Sequence, residues 1–247
     1  MNVLFSDLDN TLIYSHRRMT REEGVPVEQL NGQDQSYMTA ATFSFFRNLD
    51  WITFVPVTTR SEVQFRRLAV AAPYALICNG GKLLVDGAED PAWTAETLER
   101  VHDDIPELER CAALLGKLSG SELHAPEAYY YYVRAEDPEN VCAALTGQYP
   151  DGRIGIGHDR RKVYLFPRDV NKGRAVRRFM DRFGTDVTVG AGDSLMDVPM
   201  LNETDYALAA ERICGMIHGP AIRLLEGEMI SDQICTALSA LRREGIL

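Results

Sequence analysis

The first predicted strand of the chain ends in two aspartates, and this arrangement limits the folds that the chain can adopt. Residues 3–12 read VLFSDLDNTL, an apolar run that leads into Asp7, Asp9 and Thr11. Side chains alternate between the two faces of a strand, so Asp7 and Asp9 leave it on the same side. An apolar strand with acids at its carboxyl end is typical of an open α/β fold, in which ligands bind at this edge of a parallel sheet.

Predicted strands and helices alternate over the next part of the chain. Thr39 precedes the helical segment AATFSFFRNL, residues 52–58 read as a buried parallel strand, 61–71 as a helix and 74–79 as a third strand. This alternation predicts an open parallel sheet. The polar segment 14–38 is too long for an ordinary connection, and we interpret it as a flap.

The pattern changes after the turn Asn79-Gly80-Gly81, which precedes a predicted hairpin. Helices then alternate with short strands in an α+β pattern up to about residue 167, and the tyrosine run 129–132 is interpreted as strand packing. After Asn171 the first pattern resumes, with helices at 172–183, 194–202 and 231–243 and strands at 186–190 and 205–209. A sheet that stops and restarts predicts an α/β core domain (1–81 and 168–247) with an inserted α+β cap domain (82–167).

Composition and charge exclude several classes of protein. The formal net charge of −10 argues against non-specific binding to nucleic acid or to an anionic membrane. The sequence shows no apolar run of the roughly 20 residues that a membrane span needs, and we see no signal peptide. The five cysteines include no C-x-x-C pair, so we expect reduced thiols in a cytoplasmic protein.

Four groups of chemically active residues fall where predicted strands or helices begin or end. They are Asp7-Leu8-Asp9-Asn10-Thr11, Thr58-Thr59-Arg60, Asn171-Lys172-Gly173 and GAGDSLMD, which runs from Gly190 to Asp197. The topology of a parallel sheet would bring them to one edge. Phosphoryl transfer needs a nucleophile, cations on the phosphate oxygens and a proton donor for the leaving group, and these groups supply that set.

Each residue type suits one step of this chemistry. Asp7 is the candidate nucleophile that forms an aspartyl phosphate. Asp9 would protonate the leaving alcohol and later deprotonate the attacking water. Thr58 would donate a hydrogen bond to a phosphate oxygen. Lys172 would neutralise both the phosphate and the nucleophile.

A metal site is predicted from the same groups. Asp7 and Asp193, with the backbone carbonyl of Asp9, would share Mg²⁺, which favours a few carboxylates and octahedral oxygen coordination. Asp197 would anchor Lys172 or hold a metal-bound water. Three further residues are considered as support, namely Ser194, Asn79 and Arg60, the last of which suits a phosphate contact and a structural salt bridge about equally.

In these four motifs the sequence resembles the haloacid dehalogenase superfamily, whose motifs are D-x-D-x-T, a strand-end Ser or Thr, a Lys, and G-D-x-x-x-D. The turn at 79–81 and the long insertion are similar to its Cof-type and sucrose-phosphatase-like branch, although Asn10 and Thr59 stand where glycine is frequent. The resemblance implies a Rossmann-like core with an inserted α/β cap that closes over the leaving group. It also implies a Mg²⁺-dependent phosphatase of a small phosphorylated metabolite, a sugar or sugar-acid phosphate.

Two alternatives stay open. A phosphomutase of hexose phosphates has a similar cap and similar motifs, and would return the phosphoryl group to the sugar instead of to water. A signalling receiver also groups acids, a hydroxyl and a lysine around an aspartyl phosphate, but it lacks the cap and an acid two residues after the nucleophile. We expect a monomer, because a capped enzyme needs no partner to complete its site.

Overall fold

A computed structural model describes residues 1–247 of the chain. These residues form two compact units, one made of residues 1–89 and 172–247 and the other of residues 90–171. The structure groups residues 82–89, which the sequence pattern assigns to the insertion, with the first unit, because they form a hairpin with the strand before them. It groups residues 168–171, which the sequence pattern assigns to the core, with the second unit. That the second unit acts as a cap stays a prediction.

The first unit is built on a five-stranded parallel sheet. Its strands are β1 (Val3–Ser6), β5 (Thr53–Pro56), β13 (Thr188–Gly192), β14 (Tyr206–Ala210) and β15 (Ala221–Leu224). They lie in the order β15-β14-β13-β1-β5, and every pair is parallel. β1 and β13 are buried along their whole length, which accounts for their continuous run of apolar and small residues. The predicted α/β fold is confirmed, and β15 is an edge strand that the sequence pattern did not indicate.

Helices of different lengths accompany this sheet. They are α1 (Ala40–Arg47), α2 (Glu62–Phe65), α6 (Lys172–Phe183), α7 (Val198–Leu201), α8 (Glu211–Cys214) and α9 (Ile230–Arg243). α2 is shorter than predicted because Leu68 bridges Glu28 and the Ala69 amide donates to the Val27 carbonyl, so the chain after α2 pairs with a strand. α7 begins only at Val198, since the residues before it form a loop around Asp197.

The segment 14–38 forms a small antiparallel sheet of its own. It contains β2 (Tyr14–Ser15), β3 (Val25–Leu30) and β4 (Gln33–Met38), in the order β2-β4-β3. The turn between β3 and β4 is Asn31-Gly32, with φ values of 52° and 75°. Positive φ at both central residues is what a tight two-residue hairpin turn requires, and Asn-Gly is its preferred sequence. The segment predicted as a flap is therefore a hairpin with one short added strand.

The third predicted strand does not extend the parallel sheet as expected. β6 (Tyr74–Ile77) pairs antiparallel with β7 (Lys82–Val85), which pairs with β8 (Ala88–Glu89). A single parallel bridge from Val57 to Leu76 joins it to the end of β5. The short helical turn Cys78–Gly80 after β6 reverses the chain into the hairpin, and this return explains why the local pairing is antiparallel.

The second unit has the α+β composition predicted for the insertion. Its strands are β9 (His124–Glu127), β10 (Tyr130–Arg134), β11 (Ile154–Asp159) and β12 (Lys162–Pro167), and its helices are α3 (Pro91–Val101), α4 (Ile105–Ser119) and α5 (Pro138–Gln148), with a short helical turn at His102–Asp104. The strands form one antiparallel sheet in the order β11-β12-β10-β9. Tyr129 and Tyr130 are buried, and the Tyr130 ring stacks on Phe166 with centroids 4.5 Å apart. These two rings of the tyrosine run thus pack within the unit. No helix is long and apolar enough to cross a membrane.

Two helices of the first unit approach each other closely at a glycine. A Cβ atom added to Gly173, in the first turn of α6, would lie 2.5 Å from the Pro199 carbonyl oxygen in α7. The obstacle is backbone, which cannot rotate away. Gly173 therefore sets how near α6, which begins with Lys172, lies to the loop that precedes α7.

We expect Gly173→Ala to lower the free energy of unfolding by about 1–3 kcal/mol, because it overpacks a contact with backbone. Gly116→Ala in α4 is the matched control, since nothing lies within 4 Å of its added Cβ. In a helix interior this control should gain about 0.5–1 kcal/mol. Urea denaturation followed by circular dichroism measures both, and equal stability of the two variants would contradict the close approach.

Candidate active site

Asp7 and Asp9 lie just beyond β1, at the carboxyl edge of the parallel sheet. The Asp7 amide donates to the Ala191 carbonyl at 2.9 Å, so pairing with β13 extends to Asp7 and holds it in the buried sheet edge. Asn10 then adopts a left-handed conformation, with φ of 67°, and its amide donates to the Ile13 carbonyl. Asparagine tolerates this region better than most residues, which explains its use where glycine is frequent.

A buried lysine joins two of the predicted acids. Lys172, 2% exposed at the first position of α6, donates from Nζ to Asp7 Oδ1 and to Asp197 Oδ1, each at 2.6 Å. Burial alone would lower the pKa of Lys172, but the charges of Asp197 and Asp7 outweigh it and raise that pKa above its usual value. The ammonium is therefore charged at neutral pH and fixed between two carboxylates.

Asp197 is fully occupied by contacts within the chain. While Oδ1 accepts from Lys172, Oδ2 accepts from the amides of Asp193 and Ser194 at 3.1 and 2.9 Å and from the Ser194 hydroxyl at 2.8 Å. A Cβ on Gly192 would lie 2.4 Å from the Asp197 Cβ, so the loop closes only with glycine there. Asp197 thus anchors Lys172 and shapes the loop that carries Asp193. Asp197 is fully buried in these contacts, so we assign it to the support of Lys172 and of the loop.

Asp7 and Asp193 have the chemistry of a cation site. Carboxylate oxygens of Asp7, Asp193 and Asp197 lie within 4.8 Å of one another in a buried cluster. The Thr11 hydroxyl is shared between Asp7 Oδ2 at 3.2 Å and Asp193 Oδ1 at 3.1 Å. Three carboxylates against the Lys172 ammonium and the Arg212 guanidinium leave net negative charge, and hard cations prefer such oxygen ligands. The donor set therefore suits a hard divalent metal.

The pKa of Asp7 is raised well above its usual value. Burial is the main cause, the ammonium of Lys172 opposes it, and the neighbouring carboxylates add to it. A raised pKa favours the protonated form, whereas a cation requires the carboxylate. Protons and cations therefore compete for Asp7.

The predicted residues of the second motif lie beside β5. Thr58 is fully buried, its carbonyl accepts from the Asn79 amide at 2.9 Å, and its hydroxyl oxygen accepts from the Arg60 amide at 3.2 Å. Asn79 is buried in a left-handed conformation, with φ of 59°. The Arg60 side chain binds the Asp9 carboxylate through two hydrogen bonds of 2.8 Å each. The Arg60 side chain thus contacts Asp9, the candidate proton donor, and the Asn79 backbone contacts the Thr58 backbone.

Two charged residues at this edge were missed by sequence reasoning. Arg212, half-exposed at the start of α8, donates to Asp193 Oδ2. Glu28, buried in β3, binds Arg60. Arg212 follows the carboxyl end of β14, so its place after a parallel strand was a usable signal. Glu28 carries no such signal, because a carboxylate on a hairpin is usually exposed.

Binding of a divalent cation should release protons and strengthen as pH rises, because the folded protein holds Asp7 with a raised pKa. Calorimetric titration of the protein with Mg²⁺ at pH 5.5 and 7.5, in buffers of different ionisation enthalpy, measures both effects. Asp193→Asn should abolish the binding, whereas Asp50→Asn, which alters an exposed acid of the same unit, should leave it unchanged. Binding that is unaffected by Asp193→Asn would place the cation elsewhere.

Comparison with known sequences gives one short match. No protein-family model matches the chain. A curated relative, a phosphoglycolate phosphatase from Staphylothermus marinus, is 30% identical over 76 residues, which is 29% of this chain and 32% of the relative. The match thus spans about a third of the length of that relative.

Comparison with solved structures covers nearly the whole chain. Sucrose-phosphatase from Synechocystis, determined in complex with sucrose and phosphate, has a TM-score of 0.66 at 17% identity and covers 98% of both chains. A subclass IIB sugar phosphatase of the haloacid dehalogenase superfamily has a TM-score of 0.63 at 14% identity and covers 100% of both. The chain has the fold of this superfamily. The resemblance indicated by the four motifs is confirmed at the level of the fold.

Proposed function

We propose that the protein is a phosphoric monoester hydrolase that works through an aspartyl phosphate on Asp7. The observation that carries this proposal is the buried ammonium of Lys172 at 2.6 Å from Asp7, beside the carboxylate of Asp193 at the edge of the parallel sheet. A carboxylate held next to a fixed cation is suited to attack phosphorus, because the cation offsets the charge that accumulates during transfer.

The proposed reaction has two steps. A carboxylate oxygen of Asp7 bonds to phosphorus while the ester P–O bond breaks, and Asp9 gives its proton to the departing oxygen. Water then attacks the same phosphorus as Asp9 takes its proton, which frees Asp7 and yields inorganic phosphate. Lys172 stays charged throughout and lies against the phosphoryl group, and Thr58 donates to a phosphate oxygen.

Mg²⁺ is the proposed metal, with Asp7, Asp193 and the Asp9 carbonyl as its protein ligands. Bound there, it would supply positive charge to the transferring phosphoryl group. The donor set supports this choice, since it consists of oxygens only and combines buried carboxylates with a nearby shared hydroxyl. Asp197 and Ser194 hold the loop that presents Asp193.

The proposed substrate is a small phosphorylated metabolite, a sugar or sugar-acid phosphate. The similar structures support a sugar phosphate, since they include a sucrose-phosphatase and a sugar phosphatase. The short match to a phosphoglycolate phosphatase supports a phosphorylated acid. The proposal covers both classes and assigns neither one alone.

Phosphate release from a panel of metabolites tests the function directly. The panel contains phosphoglycolate, trehalose 6-phosphate, sucrose phosphate and the hexose phosphates. The wild type should release phosphate from at least one of them, and Asp7→Asn should be inactive, because an amide cannot form the acyl phosphate. Asp50→Asn is the control. Isomerised hexose phosphate without free phosphate would indicate a mutase, and a stable phosphorylated Asp7 without turnover would indicate a signalling module.

Removal of the metal tests the assignment of Mg²⁺. Treatment with EDTA should abolish phosphate release, because Lys172 alone would then have to offset the negative charge of the transferring phosphoryl group. Added Mg²⁺ should restore the release. Asp193→Asn should stay inactive after Mg²⁺ is added. Hydrolysis that continues at full rate without any divalent cation would refute the role proposed for Asp7 and Asp193.

A further inference from the structure

The antiparallel sheet of residues 14–38 contributes a buried acid that the proposed reaction does not use. Glu28 in β3 is 5% exposed, and the pairing of β3 with β4 shifts register on both sides of it. Such irregularities re-aim side chains, and here Val27 and Glu28 are both buried although they are neighbours on a strand. A buried carboxylate is costly unless it is paired, so this placement calls for partners.

The Glu28 carboxylate has three partners, one hydroxyl group and two positively charged guanidinium groups. Its Oε2 accepts from the Ser36 hydroxyl at 2.6 Å and from Arg60 Nη2 at 3.0 Å. Its Oε1 lies 3.0 Å from Arg60 Nη1 and 3.3 Å from Arg67 Nε. Two guanidinium groups therefore meet one carboxylate inside the first unit.

Arg60 also contacts Asp9, the candidate proton donor, and so links it to Glu28. Its Nε and Nη2 donate to Asp9 Oδ2 and Oδ1, each at 2.8 Å, so a planar fork holds both carboxylate oxygens. The Arg60 side chain is 11% exposed, whereas the Asp9 side chain is 43% exposed. Arg60 is thus fixed between two acids, one buried and one partly open to solvent.

We propose that Glu28 is a positioning residue that acts through Arg60 to orient the carboxylate of Asp9 for proton transfer. The inference rests on the proposed function, in which Asp9 protonates the leaving oxygen. It assigns a role to residues 14–38, whose hairpin delivers Glu28 to the site. The bidentate contact fixes the plane of the carboxylate, and Glu28 and Ser36 fix the guanidinium that makes this contact.

Misorientation of Asp9 should slow the phosphorylation of Asp7 only where a proton must reach the leaving group, and should slow hydrolysis of the phosphorylated enzyme with every substrate. An alkoxide leaves poorly without a proton, whereas the p-nitrophenolate ion leaves readily without one. Small errors in the position of a catalytic group cost up to about 100-fold in rate. A purely structural role of Glu28 would instead slow the first turnover equally with both kinds of substrate.

The test compares Glu28→Gln with the wild type on two substrates. The first is phosphoglycolate or glucose 6-phosphate, whichever the wild type hydrolyses faster, and kcat should fall roughly 10- to 100-fold with KM within about threefold. The second is p-nitrophenyl phosphate in rapid-mixing experiments. Its first turnover should stay near the wild-type rate and appear as a burst of one equivalent, followed by slow hydrolysis of the phosphorylated enzyme, because water attack also needs Asp9.

Arg67→Met is the matched control. It removes the second ion pair of Glu28 but leaves the contact of Arg60 with Asp9 in place. The variant should therefore show no burst, and the ratio of its kcat values on the two substrates should equal that of the wild type. Arg60→Lys keeps the charge but cannot form the bidentate contact, and should reproduce the defect of Glu28→Gln. The double variant with both Glu28→Gln and Arg60→Lys should be no slower than Arg60→Lys alone, because both changes act on the contact between Arg60 and Asp9.

Three outcomes would overturn the inference while the proposed function stands. The first is an equal loss of the first-turnover rate on both substrates. The second is a Glu28→Gln variant with unchanged rates. The third is a faster variant, which would mean that Arg60 restrains Asp9 instead of orienting it. A wild type that hydrolyses none of the phosphate esters would instead refute the proposed function. Circular dichroism of each variant confirms that it is folded before the rates are compared.

Discussion

The site depends on the ammonium of Lys172 between Asp7 and Asp197. Acids packed this closely inside a protein repel one another, and one buried charge removes that repulsion only because it contacts two of them at once. The contact also fixes geometry: Asp197 holds the Asp193 loop through two backbone amides, while Asp7 continues β1. Lys172 therefore joins three segments that are distant in sequence, and the close approach at Gly173 keeps its helix near enough to do so.

Much of this arrangement was predictable from the sequence, because the functional residues adjoin the ends of strands and helices that the sequence pattern identifies. The acids at 7 and 9 and the lysine at 172 follow or precede strongly patterned elements, and parallel topology leaves few ways to arrange them. The helix at 172–183 agrees with its prediction to the residue. The hairpin within 14–38 was also readable, since Asn31-Gly32 is a strong turn signal between two polar strands. It was missed because those strands lack the alternating apolar pattern.

Other features lie beyond the reach of sequence patterns. The short α2 could not be predicted, because tertiary pairing with β3 replaces the end of a segment that reads as a helix. The same holds for Glu28, whose burial depends on a register shift and on two arginines from another part of the chain. Local propensity describes how a segment folds by itself. A long-range ion pair depends instead on the tertiary contact between two segments, which local sequence does not reveal.

The strand order has a consequence for biosynthesis. β1 is synthesised before β5 and β13, between which it lies in the sheet, and β13 is made only after the entire second unit. Until then one edge of a fully buried apolar strand has no neighbour, and such an edge is prone to pair with other chains. A nascent chain that stalls between residues 90 and 171 would therefore expose this apolar strand and an acidic sheet edge without Lys172. We therefore expect the segment that ends at Asp7 to need a chaperone while the chain is incomplete.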